Sequence, residues 1–328
     1  FGLFRRDYMT KARLLLTKLN KVSGPEKESL IQFIDKINKE NSNRYNTFLY
    51  NLTSSSARNV KEVKPIYSDN AELVDGRIIL RDNFHQMFED IPEAMIFGED
   101  VGKIGGVNQG VEGMQEKFGE ERVADTGIRE TTILGQGIGL SLRGLRPIAE
   151  IQYLDYLLYA FQTMADDLAS LHYRTYGGQI SPVIIRTRGH RLEGIWHSGS
   201  PMGMIINGTR GVNICVPRDM TRAAGFYNTL MISDEPAMVI ECLNGYRTKE
   251  KMPSNIGEFR TPLGVIEVTK AGNDITLVSY GSTWRIVNDA ANELEKLGIS
   301  CEVIDIQSIV PFDLNCEIVE SVKKTNRL

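Results

Sequence analysis

The stretch Asp125-Thr-Gly-Ile-Arg-Glu-Thr-Thr-Ile-Leu-Gly-Gln-Gly-Ile-Gly-Leu-Ser-Leu-Arg-Gly144 decides how the rest of the chain is read. Glu130 is followed at once by small and apolar residues. Gly135, Gly137, Gly139 and Ser141 recur at every second position, while Ile133, Leu134, Ile138, Leu140 and Leu142 have the character of buried residues. Each glycine inside a helix costs roughly 1 kcal/mol relative to alanine. Several in one segment point to close approach by another backbone or by a flat ligand. A glutamate at the mouth of such a segment can be held in apolar surroundings, where a carboxyl group becomes able to pass a proton near neutrality. A structural reading competes with this one: Asp125 and Thr126 are good helix-start residues, and the helix dipole favours an acid such as Glu130 in a first turn. Spacing alone favours the structural reading.

Outward from this stretch, the composition bounds the possibilities. At 328 residues there is material for one large domain or two ordinary ones, and 41% hydrophobic with 24% charged residues is a globular balance. A net charge of −4 with no concentrated Lys/Arg block argues against a nucleic-acid surface. No apolar run approaches the roughly 20 residues that cross a bilayer, so no membrane association is expected. Phe1-Gly-Leu-Phe-Arg-Arg6 lacks the apolar core and cleavage site of a signal peptide. Cys215, Cys242, Cys301 and Cys316 form no Cys-x-x-Cys pair, so buried thiols in a cytoplasmic protein are expected, with no metal site on this chain.

Helical periodicity runs over 9–20, with Leu14, Leu15 and Leu19 as its stripe, and over 26–40, with Leu30, Ile31, Phe33, Ile34 and Ile37. From 38 to 70 the chain is polar and reads as a linker or a surface-wrapping connection. After Ile78 short apolar runs alternate with helical patterns. The strands are expected at 94–97, 147–151, 182–186, 212–216 and 237–241, with helices near 81–90, 154–173 and 219–232. Continuous apolar strands belong to parallel sheets buried on both faces, so the fold is a helix/sheet/helix sandwich with right-handed crossovers. A boundary rich in Pro, Gly and charge covers 249–264. Beyond it a strand at 275–280, a helix at 282–297, a strand at 301–306 and a helix at 313–324 read as a second α/β domain that is cut short.

Motifs narrow the chemistry by failing. Gly135-Gln-Gly-Ile-Gly-Leu140 has Leu where the third glycine of a dinucleotide fingerprint would stand, and no strand directly precedes it. Phosphate-loop, nucleophile-elbow and His-Glu-x-x-His patterns are missing from the sequence. Of the four histidines, His85 and His172 fall in amphipathic helical patterns. His190 and His197 fall in a Gly-rich connection, 187–201, that leaves the carboxyl end of a strand, where parallel sheets place ligands. Gln152-Tyr-Leu-Asp-Tyr156 leaves another strand in the same way. Tyr153, Tyr156, Tyr159 and Phe161 are read as core aromatics, with the alternative that some face a flat heterocycle.

Taken together, Gly98-Glu-Asp-Val-Gly102, Asp125-Thr-Gly-Ile-Arg-Glu130, Arg146-Pro-Ile-Ala-Glu-Ile-Gln-Tyr-Leu-Asp-Tyr156, Gly177-Gly-Gln179, His197-Ser-Gly-Ser200 and Glu302-Val-Ile-Asp-Ile-Gln-Ser-Ile-Val-Pro311 resemble one family. It is the beta subunit of the thiamin-diphosphate-dependent 2-oxo-acid dehydrogenase component, of pyruvate or branched-chain type, within the transketolase-like superfamily. The resemblance implies a pyrimidine-binding α/β domain over 78–255 and an incomplete transketolase C-terminal domain over 256–328. It implies oxidative decarboxylation of a 2-oxo acid through a thiamin ylid, with acyl transfer to lipoyl-lysine. By the same resemblance Glu130 would hydrogen-bond ring nitrogen 1′ of the cofactor's aminopyrimidine, Gln152 and Tyr156 would line its pocket, and His197 would assist acyl transfer. The diphosphate and magnesium would be held by the alpha partner, since its Gly-Asp-Gly motif is missing from this sequence. An alpha region or subunit and a lipoyl-bearing acyltransferase core are the implied partners, in a dimer or heterotetramer. Segment 1–77 is expected to be the tail of a fused alpha region, and the fragment to be inactive without that region. The sequence departs from the family at Gly199, where Gln is usual, and at Gly127, where Pro is usual. Another transketolase-type thiamin enzyme, or a non-catalytic assembly fragment, are the alternatives.

Overall fold

The computed structural model describes residues 4–190, 197 and 199–328. The chain forms two compact units, one ending at Leu49 and one beginning at Tyr50. In the first, α1 (Arg5–Lys18) and α2 (Pro25–Tyr45) make a helical hairpin closed by Met9, Ala12 and Ile34, with Leu16, Leu30 and Ile37 beside them. Pro25 presets the first turn of α2, and Glu26 and Glu28 complement its dipole. The contact stripe lies beside the one expected from sequence: Leu14 and Leu15 are exposed, because Met9 and Ala12 face the partner helix instead.

The second unit opens with β1 (Leu73–Asp75), α3 (Gly76–Asp90), β2 (Ala94–Gly98), α4 (Met114–Phe118), β3 (Val123–Asp125), α5 (Glu130–Leu142) and β4 (Arg146–Ile151). It continues through α6 (Leu157–Gln162), α7 (Leu171–Arg174), β5 (Ile184–Gly189), α8 (Met202–Gly208), β6 (Asn213–Cys215), α9 (Met220–Met231), β7 (Ala237–Cys242) and β8 (Lys249–Lys251). The last elements are β9 (Glu267–Lys270), β10 (Ile275–Ser279), α10 (Thr283–Lys296), β11 (Cys301–Asp305), β12 (Ser308–Val310) and α11 (Glu317–Thr325).

Seven strands form the main sheet in the order β12-β6-β7-β5-β4-β2-β3, all parallel except the β12 edge. Successive strand residues point to opposite faces, and both faces are apolar. Ile96, Ile148, Ile184 and Val239 pack with α3 and α9, while Phe97, Ala149, Ile185 and Ile240 pack with α5, α6 and α8. This is the expected three-layer sandwich.

Three features differ from the sequence reading. The single helix expected over 154–173 is broken into a short turn at Leu154–Tyr156, α6, a wider π-type turn at Thr163–Leu168 and α7. The wide turn keeps Met164 and Leu168 both buried beneath the sheet. In the C-terminal part, β9 pairs antiparallel with β11, giving the mixed order β10-β11-β9. Its polar residues Glu267-Val-Thr-Lys270 hide a strand from a reading based on apolar runs. Finally, β12 leaves that part and joins the main sheet beside β6.

The polar connection after Tyr50 wraps the surface rather than hanging free. Buried Glu235 accepts from the backbone N–H groups of Asn51 (3.0 Å) and Ala57 (2.7 Å) and from the Ser56 hydroxyl (2.8 Å).

Charges are buried in the middle of the main sheet. Arg186 and Arg188 of β5, Glu150 of β4 and Glu241 of β7 are all at most 1% exposed. Arg186 donates through Nε to Glu241 Oε1 at 2.8 Å and through Nη1 to Glu150, and Arg188 Nη2 donates to Glu150 Oε1 at 2.5 Å. Tyr227 and Tyr246 donate their hydroxyls to Glu241. Burial alone would raise the Glu241 carboxyl, but the charge and hydrogen bonds of Arg186 outweigh it and hold its pKa below the ordinary value.

At the carboxyl end of β5, His190 links Tyr280 of the C-terminal part to Ser200, just ahead of α8. Its ring stacks on Tyr280 with centroids 4.9 Å apart and planes 17° from parallel. Nε2 lies 3.4 Å from the Tyr280 carbonyl and Nδ1 lies 3.1 Å from Ser200 Oγ. A carbonyl only accepts, so in the neutral ring Nε2 carries the proton and Nδ1 accepts from Ser200. Gly281, at φ +54°, makes room: a Cβ there would come within 2.5 Å of His190 Cδ2. Burial lowers the His190 pKa, partly offset by the Tyr280 carbonyl.

Two outcomes follow for stability. Glu150→Gln leaves both buried arginines undercompensated and is expected to lower the unfolding free energy by about 3–5 kcal/mol. Glu293→Gln, in the exposed Glu293–Lys296 pair, should stay within about 0.5 kcal/mol. Denaturant midpoints at constant slope measure both. A histidine whose folded pKa is depressed contributes stability above its ordinary value of 6.5 and loses it as the pH falls below that value. The wild type should therefore lose stability on acidification below pH 6.5 more steeply than His190→Gln. Equal slopes in denaturation series across that range would contradict this.

Candidate active site

The carboxyl ends of β3, β2, β4 and β5 lie side by side at one edge of the main sheet, the edge where parallel sheets place ligands. Each sends a polar group into the same neighbourhood. Glu99 and Asp100 follow β2, Asp125 ends β3, Gln152 to Tyr156 follow β4, and His190 follows β5. The Asp125 carboxylate accepts from the backbone N–H groups of Gly102 (2.6 Å) and Lys103 (3.1 Å). It thereby fixes the loop after β2 to the turn that leads into α5.

Glu130 is the first residue of α5 and is buried, at 7% exposure. Its helix is held close to the sheet at Gly137, where a Cβ would come within 2.8 Å of Val183 Cγ2 and 3.2 Å of Ala149 Cβ. The other glycines behave differently from the sequence expectation. Nothing lies within 4 Å of a Cβ built at Gly135 or Gly139, and Ile138 and Leu140 are only half-buried while Leu142 is exposed. A helix has one face toward the sheet, and Ile133, Leu134, Gly137 and Ser141 occupy it.

Acids and aromatics gather around Glu130. Burial first, then the Glu130 charge, raises the Glu99 carboxyl above its ordinary value. Glu99 Oε1 is buried with no hydrogen-bond partner among the described residues, an acceptor or acid with capacity to spare. Burial, followed by the charge of Glu99, also raises the Tyr156 hydroxyl. Tyr156 meets the His197 imidazole edge-on at 5.4 Å and 89°, and Tyr153 stacks on the same ring at 3.8 Å and 12°. His197 Nδ1 lies 3.6 Å from Asp155 Oδ2, an ion-pair distance.

The structure thus groups Glu130, Tyr156 and His197 around a common edge. Gln152 instead donates through Nε2 to Asp100 at 3.0 Å. Residues 191–196 and Ser198 of the glycine-rich connection lie outside the described residues. Of the aromatics read as core, Tyr159 is exposed, and Tyr153 and Tyr156 are half-buried at the site. Sequence reasoning passed over Glu99 and Asp155 as site residues. Their signal was position: each lies within a few residues of a strand's carboxyl end, inside a block already singled out.

Comparison with known proteins gives these residues a family. The transketolase pyrimidine-binding domain family matches residues 74–248, and the transketolase C-terminal domain family matches 264–328. The beta subunit of the pyruvate dehydrogenase E1 component of Staphylococcus epidermidis is 37% identical over 240 residues, covering 72% of both chains. The mitochondrial 2-oxoisovalerate dehydrogenase subunit beta of Dictyostelium discoideum is 38% identical over 244 residues, covering 72% of this chain and 64% of that one. Among solved structures, a split-gene transketolase described as an inactive beta4 tetramer superposes with a TM-score of 0.61 at 21% identity, covering 77% of this chain and 76% of that one, which supports the fold. With a domain family matching more than half of its length and relatives of this identity, the chain belongs to the transketolase-like family of 2-oxo-acid dehydrogenase E1 beta subunits.

Proposed function

We propose that this chain supplies the aminopyrimidine half of a thiamin diphosphate site in the E1 component of a 2-oxo-acid dehydrogenase. In this reading it takes part in oxidative decarboxylation of a 2-oxo acid and transfer of the acyl group to lipoyl-lysine. The observation that supports it most is the buried Glu130 carboxyl at the start of α5, beside Glu99 and Tyr156 at the carboxyl edge of the sheet. A flat, nitrogen-bearing heterocycle fits that chemistry: Glu130 and the spare Glu99 oxygen offer hydrogen-bonding groups, and Tyr156 offers a wall with a polar tip. When bound, the cofactor supplies the carbon nucleophile and the electron sink that decarboxylation requires.

The chain's own residues have separable tasks. Glu130 holds a proton at ring nitrogen 1′, a task suited to a carboxyl kept from bulk water. Glu99 stands behind it as a second carboxyl, its own pKa raised by burial and then by the Glu130 charge. Tyr156 and Tyr153 exclude water and fix the imidazole of His197 between an edge and a face. His197 donates a proton or a hydrogen bond where charge develops during acyl transfer. Gln152 acts one step further out, by holding Asp100 next to Glu99.

By the same reading the alpha region or subunit holds the diphosphate and magnesium, and a lipoyl-bearing acyltransferase core accepts the acyl group. Residues 78–255 form the pyrimidine-binding domain and 256–328 part of the C-terminal domain, in a cytoplasmic dimer or heterotetramer. The substrate is 2-oxoisovalerate or pyruvate, with the block Gln152-Tyr-Leu-Asp-Tyr156 leaning toward the branched-chain acid.

In the complete enzyme with its alpha region, Glu130→Gln should lower 2-oxo-acid-dependent reduction of an artificial acceptor by about 10²–10⁴-fold. Thiamin diphosphate should still bind. Near-normal turnover of that variant would remove Glu130 from the chemistry. For the substrate, kcat/KM of the same complete enzyme should favour 2-oxoisovalerate over pyruvate, from which it differs by two methylene equivalents worth about 10–200-fold each. A preference for pyruvate would reverse the assignment.

A further inference from the structure

Residue 199 is where this chain drops the side chain usual in its family, and the structure places something specific in the space. A Cβ built on Gly199 would overlap Asp155 Oδ1. The same carboxylate presents its other oxygen, Oδ2, to His197 Nδ1 at 3.6 Å. Asp155 therefore occupies a position beside the imidazole that a side chain at 199 would take from it. The carboxylate is the far end of a short, partly exposed side chain, so crowding from residue 199 would move it rather than the backbone.

Two aromatic contacts of His197 hold the ring in one plane. Tyr153 covers one face and Tyr156 abuts its edge. Three residues on, Ser200 is tied to His190 Nδ1 at 3.1 Å, which anchors the far end of the loop. With the ring plane fixed, only one nitrogen faces Asp155.

We infer that Asp155 is the positioning carboxylate of His197, and that Gly199 is the residue that admits it. This rests on the role proposed above for His197 in acyl transfer. Once the pair closes to hydrogen-bond distance, Asp155 accepts from Nδ1–H and the neutral imidazole is held as the Nδ1–H tautomer, the form whose Nε2 can take up a proton. The separation of 3.6 Å is longer than a hydrogen bond, and such contacts tighten when the reacting partners are in place. An aspartate in this position also stabilises the imidazolium once Nε2 has taken up a proton. Besides Asp155, the titratable groups around the ring among the described residues include Tyr153 and Tyr156, with Glu99 and Glu130 beyond Tyr156 and Arg188 over the far side of Tyr153.

The test uses the complete enzyme with this chain ¹⁵N-histidine-labelled, in wild type, Asp155→Ala, Asp155→Asn and Gly199→Ala. The ¹⁵N spectrum of His197, assigned by loss of its signals in His197→Gln, reads the tautomer without turnover. Wild type and Asp155→Asn, whose amide oxygen can still accept, should show the Nδ1–H form. Asp155→Ala and Gly199→Ala should both shift toward the Nε2–H form. In parallel, acyl transfer to a lipoyl domain should fall roughly tenfold or more in Asp155→Ala and Gly199→Ala, and by a larger factor than decarboxylation read with an artificial acceptor. The double variant should be no worse than Asp155→Ala, since both changes break one contact. An unchanged tautomer in Asp155→Ala, or additive losses in the double variant, would overturn the pairing. A changed tautomer with unaltered acyl transfer would keep Asp155 as the orienting group and instead overturn the role proposed for His197.

Discussion

The double ion pair that Arg186 makes with Glu150 and Glu241 is the constraint on which the rest of the site depends. It links three neighbouring strands, β4, β5 and β7, side chain to side chain within the α3/α9 face of the sheet. Each of these strands then ends within a few residues, and two of them, β4 and β5, release the segments that carry Tyr153, Asp155, Tyr156 and His190. Burying these charges is expensive, and the lattice repays it only because its carboxylate oxygens are all engaged, Glu241 receiving two tyrosine hydroxyls besides the guanidinium. A site made of loops needs such a rigid base, because loops alone place reacting groups loosely.

A second set of charges ties the C-terminal part to the sheet. Arg218, just after β6, donates to Asp305 at the end of β11 and to Glu267 at the start of β9, both at 2.7 Å, and lies over the Trp284 ring. Arg222 of α9 adds two bonds to Glu267. Together with the β12 strand and the stack of His190 on Tyr280, these contacts make the C-terminal part a support for the active edge rather than an appendage.

The layers and the parallel order were legible in the sequence because each central strand is apolar on both faces, as in Ala237-Met-Val-Ile240. What was not legible has definite physical causes. The edge strands β9 and β12 are short, and β9 is polar, so their pairing depends on partners far along the chain. The break in the helix over 154–173 leaves no mark in periodicity, since its apolar residues keep helix-like spacing through the wide turn. In the site, Glu130 and His197 were visible as an acid before a glycine run and a histidine in an edge loop. Asp155 had only a weak signal, its position just past the carboxyl end of β4; its neighbour His197 comes from far along the chain, so the contact shows only in the fold.

The close seat of α5 on the sheet carries a consequence for tolerance to change. With Gly137 lying a methyl group's width from Val183 and Ala149, the helix has no spare clearance on its inner side. Bulk added there has to push the helix away from the sheet, and Glu130 is part of that helix. About two turns along the helix, a single hydrogen atom in place of a methyl sets how closely the segment that begins at Glu130 can approach the sheet.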